Sequence, residues 1–353
     1  MKTNLIDKTA VVDVFCGIGG LTHGFVKEKF KVVAGIDVDD SCRYAFEKNN
    51  EAKFIKKDIA EINADEILSL YSDAEVKILV GCAPCQPFSK YTNGKTEDTK
   101  WSLLYNFGKL IEKIKPKIVS MENVPELAKH KKYPVYDDFV ELLKRNGYSV
   151  SSYFVYCPDY GIPQTRTRLV LFASKFGEIS ILRKTHSPQK YKTVSDSIGC
   201  LDPIGVGEVS EKDSLHRSAG LSELNMIRIR STPEGGSWKD WDDELVLECH
   251  KKPTGKSYGN IYGRMRWDDL SPTITTQFMG YGNGRFGHPE QDRAISLREA
   301  ALLQSFPKYY DFIEPNTKVF VSTIARHIGN AVPYRLGRVI AKSIKKHLEN
   351  VLV

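Results

Sequence analysis

Val11-Val12-Asp13-Val14-Phe15-Cys16-Gly17-Ile18-Gly19-Gly20 is the stretch on which the fold turns. Three valines around one Asp read as a buried strand, and they run into a turn with three glycines. Leu21 to Lys29 then follows with helical period. A strand that empties through glycines into a helix lets the backbone approach a ligand and aims the helix's positive end at it. The spacing departs from the dinucleotide fingerprint, which wants Gly or Ala where Thr22 stands. An ordinary tight turn is the plain alternative.

The same alternation continues outward from that stretch. Apolar, β-branched runs at Ala10 to Val14, Val32 to Ile36, Ile78 to Val80, Ile118 to Met121, Tyr148 to Val155 and Leu169 to Ala173 read as strands. Helical segments are expected at Leu21 to Lys29, Ser41 to Asn49, Leu103 to Lys115 and Tyr136 to Asn146, the last stopped by Gly147. Strands alternating with helices predict a doubly wound α/β domain with a parallel sheet. Residues 199 to 287 break the pattern with 13 of the 26 glycines and read as a loop-rich second domain. Regular patterning resumes at Ser296 to Gln304, where Ser296 and Glu299 make a capping box, and in a helix from Pro333.

Four places carry candidate chemistry. Asp37 ends the second strand, where an acidic side chain accepts from ribose hydroxyls, and Asp58 follows the patch Lys53 to Ile55 on the side expected for a base. Together with the glycine turn they favour a nucleoside-containing cofactor. Gly81-Cys82-Ala83-Pro84-Cys85-Gln86-Pro87 follows a central strand, where α/β sheets place their chemistry. Zinc would need two more ligands at ligand spacing, which the other Cys and His do not supply, so no metal is expected. A redox dithiol stays open, and Cys85 is the best nucleophile, with Cys82 an incidental neighbour. Met121-Glu122-Asn123-Val124 sits at another strand end, where Glu122 is a general acid if buried and a solvated carboxylate otherwise. In Gln164-Thr165-Arg166-Thr167-Arg168 the two arginines alternate at strand period, suited to one anionic or carbonyl target or to a solvated edge.

In this order, with Ser271-Pro272-Thr273-Ile274-Thr275 and Gly329-Asn330-Ala331-Val332 added, the set resembles the DNA (cytosine-5) methyltransferase family of the bacterial restriction-modification type, over about residues 11 to 340. The resemblance implies an α/β, Rossmann-like S-adenosylmethionine-dependent methyltransferase sheet with helices on both faces, plus a smaller loop-rich target-recognition domain. It implies a catalytic and cofactor-binding domain over 1–179 completed by 316–353, with target recognition and a hinge in 180–315. Phe15, Cys16, Gly17, Ile18, Gly19, Gly20, Asp37, Val38, Asp58, Ile59, Asn330 and Ala331 would hold S-adenosyl-L-methionine, the Cys16 side chain itself reading as packing.

Catalysis is assigned in the same way to Cys85, Glu122, Arg166, Arg168, Asn123 and Gln164. Cys85 would add as thiolate to C6 of a flipped cytosine, Glu122 would meet ring N3, the arginines would hold the O2 side, and Asn123 would fix the Cys85 loop. The partner implied is double-stranded DNA, with a cognate restriction endonuclease as functional companion. Two rivals remain: the family's transfer-RNA branch, whose Cys-Phe-Thr segment is not found here, and a Rossmann-type nicotinamide oxidoreductase using the CxxC. The second leaves the Glu122, Arg168 and Asn330 segments unexplained.

Composition is a poorer witness. The chain has 353 residues, 41% hydrophobic and 27% charged, an ordinary globular profile for about two domains. Seven cysteines without regular spacing do not make a secreted disulfide framework, and no leader-like or membrane-length apolar run is seen, so a soluble, cytoplasmic monomer is expected. The net charge of +7 is equalled by the seven Lys and Arg between Lys318 and Lys346, a solvated helix face on the plain reading. Arg217, Arg228, Arg230 and Lys256 are candidates for reading bases in the insert, but no code maps them to a target sequence.

Overall fold

The computed structural model describes residues 5–84, 97–129 and 134–351, leaving aside the side chains of 97–101 and 256. The chain divides into two compact units. The first comprises Met1–Tyr160, Thr167–Thr185 and Val332–Val353, and the second Gly161–Arg166 and His186–Ala331.

The first unit is built on strands β1 (Thr9–Val14), β2 (Val32–Asp37), β3 (Lys53–Lys56), β4 (Val76–Gly81), β5 (Ile118–Asn123), β6 (Ser149–Tyr156) and β7 (Thr167–Ser174). They form one sheet in the order β3-β2-β1-β4-β5-β7-β6. All six residues of β1 and of β5 are buried, as expected of central strands covered on both faces. Helices α1 (Gly20–Lys27), α2 (Arg43–Asn50), α3 (Ala64–Leu70), α4 (Glu97–Ile114), the short α5 (Glu126–Lys129) and α6 (Val135–Arg145) supply the connections. The path from β1 runs outward through β2 to β3, then returns to β4 on the other side of β1. Right-handed crossovers therefore put α1 and α2 on one face and α3 and α4 on the other. Packing of α1 on α2, and of α4 on α3 and α6, agrees.

The sheet is not wholly parallel. β7 inserts between β5 and β6 and runs antiparallel to both. The reason lies in the connection after β6, which holds only a single-turn 3-10 segment, Cys157–Tyr160, before the chain enters the second unit. A parallel return needs a crossover of a dozen or more residues, usually helical, within the same layer.

The second unit carries α7 (Val194–Ile198), α8 (Glu223–Arg230), the short α9 (Glu248–Lys251), α10 (Leu297–Leu303) and α11 (Val321–Asn330). Its described remainder has isolated bridges rather than strands. Side chains take over the ordering role that a sheet ladder would have. Arg264 donates to the carbonyls of Ile229, Thr232, His288 and Gln291, and fully buried Arg293 meets both oxygens of Glu299 at 2.7 Å. Glu299 also accepts from Ser296 N–H, which completes the capping box of α10.

The chain then returns to the first unit as α12 (Tyr334–Asn350), laid along α1. A Cβ on Gly24 of α1 would lie 2.3 Å from the Gly337 carbonyl carbon of α12, so these helices touch backbone to backbone. Arg338 bonds the Glu28 carboxylate at 2.7 Å and Lys345 its carbonyl at 3.3 Å. Part of the basic C-terminal segment is thus engaged at the α1–α12 contact.

Candidate active site

In a doubly wound sheet the crevice opens where the strand order reverses, outside the carboxyl ends of β1 and β4. The turn after β1 takes left-handed backbone at Phe15 (φ 61), Gly17 (φ 49) and Gly19 (φ 85). A Cβ at Gly17 would meet nothing within 4 Å, so the turn has open space on that side. Gly17 N–H donates to Asp37 Oδ2 at 2.8 Å, and Asp39 N–H donates to Oδ1 at 2.9 Å. Asp37 therefore clamps the turn while keeping a carboxylate at the end of β2, and its neighbour Val38 is 64% exposed. Gly20 begins α1, and Ile18 is buried.

Cys16 packs as its sequence reading has it: it is buried close to Gly35, and burial pushes its thiol well up. Ile59 is a core residue, so of that pair only Asp58 offers a ligand a polar side chain; its Oδ1 also accepts from Ala60 N–H at 2.9 Å. An open turn, a carboxylate and a bare apolar side chain suit a nucleoside with ribose hydroxyls and an apolar base face.

Next to this, β4 ends at Gly81, which pairs with Met121 of β5. β5 continues to Glu122 and Asn123, beside the point where the chain leaves β4 through Cys82, Ala83 and Pro84. Cys85, the expected nucleophile, lies outside the described residues. Asn123 Nδ2 donates to Ala83 O at 3.1 Å and Asn123 Oδ1 accepts from Val124 N–H, so this amide ties the approach to Cys85 onto β5. Glu122 is 3% exposed; Arg168 Nε of β7 lies 3.2 Å from its Oε1. The half-buried Cys82 donates its thiol to Glu122 Oε2 at 2.8 Å. Burial, and then the Glu122 carboxylate, push that thiol well up, which keeps it a donor. Read from sequence as incidental, Cys82 is in direct contact with the candidate acid.

The paired reading of Arg166 and Arg168 needs correction. β7 starts at Thr167, so Arg168 alone lies in the strand. Arg166 belongs to the second unit, buried, with its guanidinium 3.3 Å from Gln164 Oε1 and 3.4 Å from Ile274 O. Gln164 is corrected as well. It is fully buried, its amide donates to Gln304 Oε1 and Leu303 O, and its oxygen also accepts from Ile274 N–H. Such a side chain has no bonding capacity left for a substrate, and Gln164 ties Ser271-Pro272-Thr273-Ile274 to α10.

Asn330 is exposed at the end of α11 in the second unit, with Ala331 buried behind it. Gly329 approaches Thr275 so closely that a Cβ would lie 2.4 Å from its carbonyl carbon. Among the arginines considered for base reading, Arg228 is a core residue, lying over Trp241 and Tyr262 and bonded to Leu245 O. Arg230 is exposed and 3.4 Å from Asp292, and Arg217 bonds Ser214 O. Sequence reasoning missed Cys82 and Gln304. A CxxC shows its own spacing, but not a partner 40 positions away.

A family model described as C-5 cytosine-specific DNA methylase matches residues 9–346. The type II methylase M.HgiDII of Herpetosiphon aurantiacus is 56% identical over 342 residues, covering 97% of this chain and 96% of that protein. The type II methyltransferase M1.HphI of Haemophilus parahaemolyticus is 27% identical over 345 residues, covering 95% and 86%. Among solved structures, one described as a DNA modification methyltransferase encoded within an E. coli prophage matches with a TM-score of 0.75 at 21% identity, covering 97% of this chain and 100% of that one. At that identity the likeness speaks for the fold alone.

Proposed function

This chain belongs to the C-5 cytosine-specific DNA methylase family, and on that premise we propose how its residues carry out DNA (cytosine-5) methylation. S-adenosyl-L-methionine, when bound, supplies an electrophilic methyl group. The turn Phe15 to Gly20, Asp37 with Val38, and Asp58 are the residues of the first unit that would hold it, Asp37 accepting from ribose hydroxyls. The resemblance adds Asn330 and Ala331 of the second unit as further cofactor candidates.

Carbon 5 of cytosine is a poor nucleophile. Cys85 as thiolate adds to C6, the electrons of the C5–C6 double bond move toward N3, and Glu122 shares a proton with N3 as charge builds there. Carbon 5 would then take the methyl group as its bond to the cofactor's sulfonium sulfur breaks, leaving a neutral thioether; loss of the C5 proton to a base and expulsion of the Cys85 thiolate would restore the ring. In duplex DNA these atoms are buried by stacking, so the base must be flipped out, at a cost of a few kcal/mol. Arg168 keeps a positive charge beside Glu122, and Asn123 steadies the chain ahead of Cys85. The enzyme would act as a monomer on double-stranded DNA in the cytoplasm, protecting a specific site from a cognate restriction endonuclease. Among the described residues no helix is long and apolar enough to cross a membrane.

The observation that carries this reading is the Glu122 carboxyl, buried at the carboxyl end of β5 with Arg168 Nε at 3.2 Å. The test is covalent trapping on duplex DNA whose target cytosine is 5-fluorocytosine, since fluorine does not leave as a proton does. A denaturation-resistant adduct is expected with the natural chain and none with Cys85→Ser. Equal behaviour of the two would overturn the thiolate mechanism. Bisulfite sequencing of DNA from expressing cells would give the target site.

A further inference from the structure

We propose that Cys82 is a positioning residue for methyl transfer: its thiol holds Oε2 of Glu122, so that Oε1 is the oxygen presented to the base. The inference rests on the reading of Glu122 as the group that meets ring N3. Cys82 Sγ lies 2.8 Å from Glu122 Oε2, whereas Glu122 Oε1 is buried without a hydrogen-bond partner among the described residues. Arg168 Nε, 3.2 Å from Oε1, attracts it by charge but is out of line for a hydrogen bond, and Arg168 Nη1 is committed to Thr167 O at 2.8 Å. Among the described residues, the one directional bond that fixes the carboxyl plane therefore comes from Cys82.

The anchor is itself held. Cys82 follows directly on Gly81, which pairs with β5, and the next carbonyl, Ala83 O, is bonded by Asn123, the residue after Glu122. The charged groups facing this contact are Glu122 on β5, Arg168 on β7 and Asp13 on β1, and the two carboxylates both favour the protonated thiol. Cys82 is thus a donor rather than a second nucleophile. In a site screened from water, a carboxyl gripped on one oxygen loses the rotamer freedom that would misplace the other.

The experiment compares Cys82→Ala, Cys82→Val, Cys82→Ser, Glu122→Gln and the Cys82→Ala/Glu122→Gln double variant in single-turnover methyl transfer. Dissociation constants for DNA and S-adenosylmethionine are measured alongside. Cys82→Ala is expected to slow the chemical step by about tenfold with both affinities nearly unchanged. Cys82→Val, which keeps bulk but has no donor, should match it and stands in if the alanine chain folds poorly. Cys82→Ser should recover most of the rate. In the Glu122→Gln background, removing the thiol should cost little more, because residues acting as a unit are not additive. A serine variant as slow as alanine, a fully additive double variant, or a loss carried wholly by the affinities would overturn the proposal. A Glu122→Gln chain that transfers methyl at the natural rate would instead remove the reading of Glu122 itself.

Discussion

Thr22 Oγ1 donates to Asp13 Oδ2 at 2.6 Å, across the turn that joins β1 to α1. The residue that departs from the dinucleotide fingerprint is therefore the hydrogen-bond partner of the carboxylate buried in β1. A Gly or Ala there would remove that side-chain bond and leave the buried carboxyl with the backbone N–H of residue 22, since Oδ1 has no hydrogen-bond partner among the described residues. Even so, burial drives the Asp13 carboxyl up to about 7 from 3.8, against the effect of the Thr22 bond.

That shift fixes a pH dependence. Between the unfolded value and about 7 the native chain holds the extra proton, so stability falls as pH rises through that window and the penalty is complete above it. Asp13→Asn is expected to gain melting temperature relative to the natural chain on going from about pH 5 to about pH 8. The comparison with the variant matters because His23, pushed down to about 4 by burial, acts with the opposite sign in the acid part of the range. Parallel melting curves for the two chains would show that Asp13 does not carry the effect.

Asp37 supports a second expectation, about the cofactor. Its two oxygens accept from Gly17 N–H and Asp39 N–H, so Asp37→Asn would turn one amide N–H toward a backbone donor and remove the charge offered to ribose. S-adenosylmethionine affinity should fall by roughly tenfold to a hundredfold, the scale of a lost charge-assisted hydrogen bond. The rate at saturating cofactor should change far less. Calorimetric titration reads the first quantity and single-turnover kinetics the second; unchanged affinity would take Asp37 out of the binding site.

What could be read from the sequence follows from where the physics is local. Central strands covered on both faces write themselves as continuous apolar runs, so β1, β2, β4 and β5 fall at their expected places within one or two residues. The antiparallel insertion of β7 depends instead on where the chain goes after β6, which no run of residues encodes. Helix α8 hides for another reason: it buries Arg228 and exposes Leu224 and Ile227, so its apolar residues draw no helical stripe. Helix α3 has a legible start in the Asn63 and Glu66 capping box, but at seven residues it is too short to draw a sustained apolar stripe. Glu122 stood out by its strand-end position. The partners that give it meaning, Cys82 just past β4 and Arg168 in β7, lie 40 and more positions away.

Gln164 offers a test of a corrected role. With its amide bonded to Gln304 and Leu303 and its oxygen to Ile274 N–H and Arg166, it acts as a tie within the second unit. Gln164→Leu would strand several of these buried groups, each costing about 1–3 kcal/mol. The expected signature is a lower melting temperature, with the residual folded enzyme still forming the 5-fluorocytosine adduct. Natural stability with a lost adduct would return Gln164 to the catalytic group.

The last expectation concerns the closing of the first unit by the end of the chain. Gly24 has no Cβ where α12 passes, and an added one would sit 2.3 Å from Gly337 C and 2.5 Å from Arg338 N. Both are backbone atoms, so neither can swing aside as a flexible side chain would, and the two helices must part. Gly24→Ala improves helix propensity by about 1 kcal/mol, but forced overpacking costs typically 1–3 kcal/mol or more. The clash should win because α12 is also pinned to α1 by the Arg338 to Glu28 ion pair and cannot shift without loosening it. A melting temperature lower by a few degrees is expected, together with faster proteolysis of the C-terminal helix. Gly24→Ala combined with truncation of the chain before Tyr334 separates the causes: if the clash is with α12, the alanine should no longer destabilise once that helix is gone.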